Sequence, residues 1–292
     1  MKPTVTVVVP VYDSEKFVHE CIQSLLAQSI KDFEILVIED PPYDRTKEIV
    51  DAFEDRRIKY FRNPRRLGRY KSRNLAIQQA RGKYVFFTDD DCLVSKDWIE
   101  QGLKSFHNEN CIAVEGKTYY VSDKYKPTYS DHIVKQSVKG QFMTCNVAYT
   151  KSLMESIGGF DEKYKHIGDR DFGLRAIKFG RIHFNPKMIV YHQKVKFKPK
   201  EFVRDSRKIR ARVLLYKKFA ERGAGEVPFL WRIVNPHGLL GIIFPPLIFL
   251  SLLHGNFESR DDFVLLPFTY IKLIYERLNI WDMCVKERVF LI

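Results

Sequence analysis

Two phosphate-binding signatures are missing from this 292-residue chain. No Gly-x-Gly-x-x-Gly follows the first strand-like run, and no Gly-x-x-x-x-Gly-Lys-Ser/Thr occurs anywhere. That excludes a Rossmann dinucleotide site and a P-loop as the means of holding phosphate. The cysteines (Cys21, Cys92, Cys111, Cys145, Cys284) are odd in number and show no paired metal spacing. They argue against a disulfide framework and a structural zinc site, and for a reducing compartment. Internal repeats and low-complexity tracts are absent. The chain opens on a strand-like run, so no leader peptide is expected before it.

What the chain does carry is a basic excess and a patterned core. Its formal net charge is +13, which suits an anionic partner such as phosphorylated substrates, a membrane surface or nucleic acid. Val5 to Val11 is an apolar run that reads as a buried parallel strand. Asp13-Ser14-Glu15 then offers helix-capping chemistry ahead of Phe17, Val18, Cys21, Ile22, Leu25 and Leu26 at helical spacing. Strands are expected at Phe33 to Ile38, Ile58 to Phe61 and Lys83 to Phe87, with helices at Thr46 to Phe53 and Ser72 to Ala80. This alternation implies an α/β fold, a mostly parallel sheet flanked by helices. Further on, helices are expected at Trp98 to Phe106, Lys151 to Ile157 and Phe172 to Lys178. Strands are expected at Ile112 to Tyr120, within Gln141 to Tyr149 in the opposite sense, and at Ile189 to His192. Lys124 to Lys139 is polar and without periodicity.

Two of the early strands end in acids, at Asp40 and at Asp89-Asp90-Asp91. Clustered carboxylates repel one another unless a cation lies between them, and ligands of open α/β sheets bind at the carboxyl ends of strands. A divalent cation holding a phosphorylated ligand is the chemistry this pattern implies. A solvated polar loop is the plainer alternative.

The motifs resolve that choice. In order, the chain carries Val7-Val8-Val9-Pro10-Val11-Tyr12-Asp13-Ser14-Glu15, Ser24-Leu25-Leu26-Ala27-Gln28-Ser29, Asp32-Phe33-Glu34-Ile35 and Val37-Ile38-Glu39-Asp40. Gly68 with Arg73-Asn74, Gly82-Lys83-Tyr84, Asp89-Asp90-Asp91 and Gly158-Gly159-Phe160-Asp161-Glu162 follow. Each piece is weak alone; the ordered set, from about residue 4 to 192, resembles family 2 glycosyltransferases of the GT-A fold. The resemblance implies an inverting transfer of a sugar from a nucleotide-diphosphate donor to an acceptor hydroxyl, with a divalent cation, Mn2+ or Mg2+.

It also implies roles for individual residues. Asp91 would hold the metal and Asp89 would contact the ribose or stand behind the metal, leaving Asp90 as a variable middle residue facing solvent. His192 falls where many relatives place a metal-approaching histidine; a buried, hydrogen-bonded imidazole is the other reading. Pro10, Tyr12 and Asp40 would line the base pocket, unless Tyr12 simply packs in the core. Arg69 would assist the base or diphosphate, or else stand solvated beside Arg65 and Arg66. Asp169 takes the place of the general base, and could also cap its helix. Relatives usually read Glu-Asp-x-Asp there, whereas this chain has Gly168-Asp169-Arg170-Asp171. At Glu39-Asp40-Pro41-Pro42-Tyr43-Asp44 the usual Gly-Ser turn is also lost.

The expected organisation is a catalytic domain over 1–200, with 1–105 binding the nucleotide sugar and 106–200 the acceptor, followed by a basic and hydrophobic region over 201–292. Residues 194–232 hold thirteen Lys/Arg against four Asp/Glu, a net of +9. The uncharged run that follows suggests a membrane span or hairpin over 236–255, interrupted by Pro245-Pro246. A basic stretch beside an apolar one suits the anionic cytoplasmic leaflet, so membrane attachment with the catalytic domain facing the cytoplasm is expected. Nucleic acid is not expected as a partner, since no known binding motif is present. Two alternatives remain at this point: a polyprenyl-phosphate sugar synthase with a lipid-phosphate acceptor, and a non-catalytic nucleotide-sugar-binding protein. The acceptor would be a glycan or a lipid-linked group.

Overall fold

Apolar β-branched runs become the centre of a sheet because both of their faces are buried. β1 (Val5–Val11) and β2 (Phe33–Glu39) are the clearest cases, with every residue of β2 buried. The computed structural model describes residues 2–122, 124–220 and 260–288. Between the first strands lie α1 (Val18–Leu26) and α2 (Thr46–Asp51); β3 (Ile58–Arg62), α3 (Arg69–Gln79), β4 (Tyr84–Phe87) and β5 (Cys92–Val94) follow. The second half continues with α4 (Trp98–Phe106), β6 (Cys111–Tyr120), β7 (Val147–Thr150), α5 (Lys151–Ser156), α6 (Gly168–Ala176) and β8 (Arg181–His192). The sheet has eight strands in the order β3-β2-β1-β4-β7-β6-β8-β5. β3, β2, β1 and β4 are parallel; β7 runs antiparallel to both β4 and β6, and β5 is antiparallel to β8. β2 and β4 flank β1, so Asp40 and the Asp89 triplet leave the same edge of the sheet.

Several boundaries differ from the sequence reading, each for a local reason. Ser14 does not cap α1: its hydroxyl accepts the Tyr12 N–H at 2.8 Å and donates to Asp90, and its carbonyl meets Phe17 and Val18. α3 begins at Arg69 rather than Ser72, because Gly68 turns the chain with φ 87° and the helix follows at once. β8 is a 12-residue strand where only its last third was expected, since its first half mixes exposed Arg181, His183 and Pro186 with buried Ile182 and half-buried Phe184 and makes no continuous apolar run. β5, Cys92-Leu93-Val94, is too short an apolar run to announce a strand.

The chain divides into two compact units. The first comprises residues 1–125 and 134–193 and holds the whole sheet. The second comprises 126–133 and 194–292, so it begins before the boundary expected at 201 and takes in part of the unplaced polar stretch. Its described helices are α7 (Pro199–Asp205), α8 (Lys208–Ala220) and two more over Arg260–Val264 and Leu266–Glu287. Arg210 fastens α8 to the longest of these through Asn279 and Asp282, at 3.0 and 2.5 Å. Among the described residues no helix is long and apolar enough to cross a membrane, and the run 236–255 lies outside them.

Candidate active site

The parallel half of the sheet delivers its acids to one place, and their partners come from α3 and α6. Asp40 follows β2 and is 6% exposed. Its Oδ1 accepts from Asn63 at 2.8 Å and Ser72 at 3.1 Å, and its Oδ2 accepts the Gly68 N–H at 2.7 Å. The carboxylate therefore anchors the basic loop 63–68 to the head of α3. Beside it, Pro10 pairs with Ile38 near the end of β1. Tyr12 is 40% exposed, which sets aside the core-packing reading, and the Arg66 guanidinium lies 4.1 Å over its ring. Asp44 binds the N–H groups of Thr46 and Glu15, joining the first two β–α turns.

The triplet after β4 divides its work. Asp89 is ion-paired with Arg73, a guanidinium only 2% exposed. Asp90 is not the solvent-facing residue expected: it is half-buried and accepts the Ser14 hydroxyl. Burial, then the neighbouring Asp91, push its carboxyl up to about 8, with the Ser14 bond working the other way. Asp91 is also raised, by burial first, and partly relieved by His192. β5 lies against β8 with Cys92 opposite His192, which carries the imidazole to Asp91.

That pairing bears on metal binding. His192 is 4% exposed, and its Nδ1 lies 3.0 Å from the Gln193 carbonyl, so Nδ1 carries the proton. Nε2 faces Asp91 Oδ1 at 3.3 Å, as a lone pair in the neutral ring and as a donor in the charged one. In the neutral ring two acceptors face each other and need a cation or a shared proton between them, and a carbonyl bonded to the far nitrogen is the usual support of a ligating histidine. Asp91, Cys92 and His192 place one potential ligand atom each within 4.8 Å of one another. The carboxylate of Asp91 and the imidazole of His192 are an oxygen and a nitrogen donor that suit a divalent cation such as Mn2+.

Asp169 opens α6 from inside its first turn rather than capping it; Ile167 precedes the helix in the left-handed region at φ 53°. Its Oδ1 accepts the Arg170 N–H at 2.9 Å and lies 3.5 Å from the Tyr70 hydroxyl. Burial raises its pKa, the Arg170 N–H and the charges of Arg73 and Arg69 pull the other way, and Asp89 adds to the rise. Arg69 is exposed at the start of α3 and acts on Asp169 through its charge, while its carbonyl accepts from Arg73 at 3.4 Å.

The glycine-rich motif is a clamp. Asn74 donates to the Phe160 carbonyl at 2.9 Å and accepts the Phe160 N–H at 2.8 Å. A Cβ on Gly159 would stand 2.6 Å from Asn74 Oδ1, and φ 71° there suits glycine. Arg175 of α6 holds the carbonyls of Ile157 and Gly159 at 2.8 and 2.7 Å. Arg73 and Tyr70 were given no role in the site from the sequence, and Ser14 was read only as a helix cap. Arg69 and Arg73, four residues apart, share a face only because α3 begins at Arg69 rather than at Ser72.

Comparison with known proteins agrees with this frame. The family model described as Glycosyl transferase family 2 matches residues 6–182. An uncharacterized glycosyltransferase of Methanocaldococcus jannaschii is 32% identical over 189 residues, 60% of this chain and 65% of that relative. The match thus spans slightly less than two thirds of the relative's length. A mannosyltransferase of Pyrobaculum calidifontis, solved with GDP-Man and Mn2+, superposes with a TM-score of 0.66 at 16% identity, covering 97% of this chain and 88% of that one. S. aureus TarS 1-349, solved with UDP, gives 0.57 at 19% identity, covering 97% and 91%.

Proposed function

Because the chain belongs to glycosyltransferase family 2, we propose that it is an inverting transferase that moves a sugar from a nucleotide-diphosphate donor to an acceptor hydroxyl, with Asp169 as general base. The observation that carries this reading is Arg73. It pairs with Asp89 at the end of β4 while its charge acts on Asp169 at the start of α6, so one buried guanidinium links the donor-side acids to the base. Asp169 takes the acceptor proton as the hydroxyl oxygen attacks the anomeric carbon from the face opposite the leaving diphosphate. Its raised pKa makes it a better proton acceptor than an ordinary aspartate.

Asp91 and His192 would hold the divalent cation, which when bound neutralises charge on the leaving diphosphate. Pro10 and Tyr12 would border the base, with the Tyr12 ring as its stacking surface. Asp40 shapes that pocket through the 63–68 loop. The acceptor is a glycan or a lipid-linked group. The basic segment from Lys194 would bring the chain to an anionic membrane surface on the cytoplasmic side, a reading supported by its net charge of +9 over residues 194–232, thirteen Lys/Arg against four Asp/Glu.

The test is a panel of nucleotide sugars, including UDP-GlcNAc and GDP-mannose, with and without Mn2+ or Mg2+. Diphosphate release and transfer to acceptor are followed together. The expected result is cation-dependent release that falls on the order of a hundredfold to ten-thousandfold in Asp169→Asn and is lost in Asp91→Ala. Full activity of Asp169→Asn with a lipid phosphate as the productive acceptor would replace this reading by the polyprenyl-phosphate one. Binding without any release would leave a nucleotide-sugar sensor. Sedimentation with anionic vesicles, reversed by salt, tests the membrane surface.

A further inference from the structure

Where relatives carry a glutamate before the base, this chain has Gly168, and the structure shows what occupies the space. A Cβ on Gly168 would lie 2.8, 2.9 and 3.0 Å from three ring atoms of Tyr70. Tyr70 is 4% exposed, and its ring packs 5.7 Å from Phe160, which in turn lies 4.7 Å from Phe172 of α6. The Tyr70 oxygen accepts the Gly168 N–H at 2.8 Å. That N–H is one of the first four of α6, which have no partner within the helix. With its oxygen engaged as an acceptor, the hydroxyl still has its own proton, and Asp169 Oδ1 stands 3.5 Å away. Burial, then the Asp169 charge, raise the Tyr70 phenol, so it remains a neutral donor.

We propose that Tyr70 is the positioning residue of the candidate base: its hydroxyl caps the first N–H of α6 and directs its proton to Asp169 Oδ1, turning Oδ2 toward the acceptor, in a fit that only glycine at position 168 permits. The assignment rests on Asp169 acting as the base. It goes beyond it by naming a residue pair, Tyr70 with Gly168, in which the ring on α3 replaces a side chain on α6. The other charged and titratable groups acting on Asp169 are Arg69 and Arg73 from α3 and Asp89 from the end of β4; the buried Tyr149 on β7 also feels its charge.

The decisive experiment follows the side-chain carboxyl of Asp169 by carbon NMR in the full chain labelled at aspartate, with Asp169→Asn identifying the resonance. A hydrogen bond donated to a carboxylate favours its charged form, so Tyr70→Phe should move the Asp169 titration upward, on the order of half a pH unit. A purely structural tyrosine would leave it unmoved, and that result overturns the proposal. The packing half is read by thermal unfolding. Gly168→Glu should lower the Tm by several degrees, roughly, and Tyr70→Ser should cost less in that chain than it does in the wild type. Simple additivity of the two changes overturns the fit. Transfer from UDP-GlcNAc or GDP-mannose, measured on the same samples, separates this claim from the functional one. Loss of turnover in Asp169→Asn with an unmoved resonance in Tyr70→Phe removes Tyr70 alone. A moved resonance with no effect of Asp169→Asn on turnover removes the base, and with it any catalytic meaning of the pair.

Discussion

Glu34 offers a stability test away from the candidate site. It lies on β2, 2% exposed, with four donors around it. The Thr6 hydroxyl and the Arg81 N–H both reach Oε1 at 2.8 Å; the Arg81 Nε at 2.8 Å and Lys59 Nζ at 2.9 Å reach Oε2. The Gly82 N–H donates to the Thr6 oxygen at 2.9 Å, which orients that hydroxyl's proton toward the carboxylate. Burial alone would raise the Glu34 pKa; the bonds from Lys59, the Arg81 N–H, Thr6 and the Arg81 guanidinium outweigh it and hold it below its ordinary 4.5. In Glu34→Ala the two bonds to Oε1 cost about 1 kcal/mol each. The pairs with Lys59 and Arg81, whose side chains are 35% and 50% exposed, add about 1 kcal/mol together after screening. Urea unfolding at about pH 7 should therefore show a loss of about 3 kcal/mol. Glu34→Gln retains an oxygen for two of the donors and should lose about 1 kcal/mol. A depressed carboxyl contributes stability above its unfolded pKa and loses it as the pH falls through the folded one. The gap between wild type and Glu34→Gln should thus be constant above about pH 5.5 and close on acidification below 4.5. A Glu34→Ala loss below about 1 kcal/mol, or a gap that widens toward acid, would refute the reasoning.

Other perturbations have equally definite outcomes. Asn146 is fully buried and joins three elements, accepting from Trp98 Nε1 at 2.8 Å and donating to the carbonyls of Lys117 and Met188 at 3.0 Å. Asn146→Ala should cost about 3 kcal/mol, seen in the urea midpoint and in altered Trp98 emission. Because the Asp169 pKa is raised, the acid limb of the pH–rate profile should lie above the usual aspartate range of about 3.9, with activity falling as pH drops through it; a limb at the ordinary value would contradict that. Mn2+ at about a hundred times its Kd should stabilise the fold by about 2.7 kcal/mol, and calorimetry should find that gain missing in both Asp91→Ala and His192→Ala.

The early strands and the acidic ends were legible because buried parallel strands leave a plain mark: unbroken runs of Val, Ile and Leu. Asp40 and the Asp89 triplet could be placed on one edge from the alternation alone. The details depended on contacts invisible in one dimension. Ser14 looks like a cap but spends its hydroxyl on Tyr12 and Asp90, because Asp13 adopts φ 56° and turns the chain before α1 starts. Asp40 was placed at the base pocket, but its three partners, Asn63 and Gly68 on a loop without pattern and Ser72 in the first turn of α3, were not foreseen. Gly168 read as a gap in a motif, and only the Tyr70 ring, nearly a hundred residues earlier, shows what fills it.

The pairing of β5 with β8 has a consequence for how the chain assembles. Asp91 and His192 meet because a three-residue strand at the outer margin of the sheet joins the last strand of the unit. In synthesis Asp91 must wait for about a hundred more residues before its counterpart exists, and β5 pairs with β8, which in turn pairs with β6. Such a seam closes late, since distant pairing bears its loop entropy before any contact rewards it. Anything clasped across it should retard unfolding more than it hastens folding, giving the occupied protein a longer lifetime at the margin where the empty one opens first.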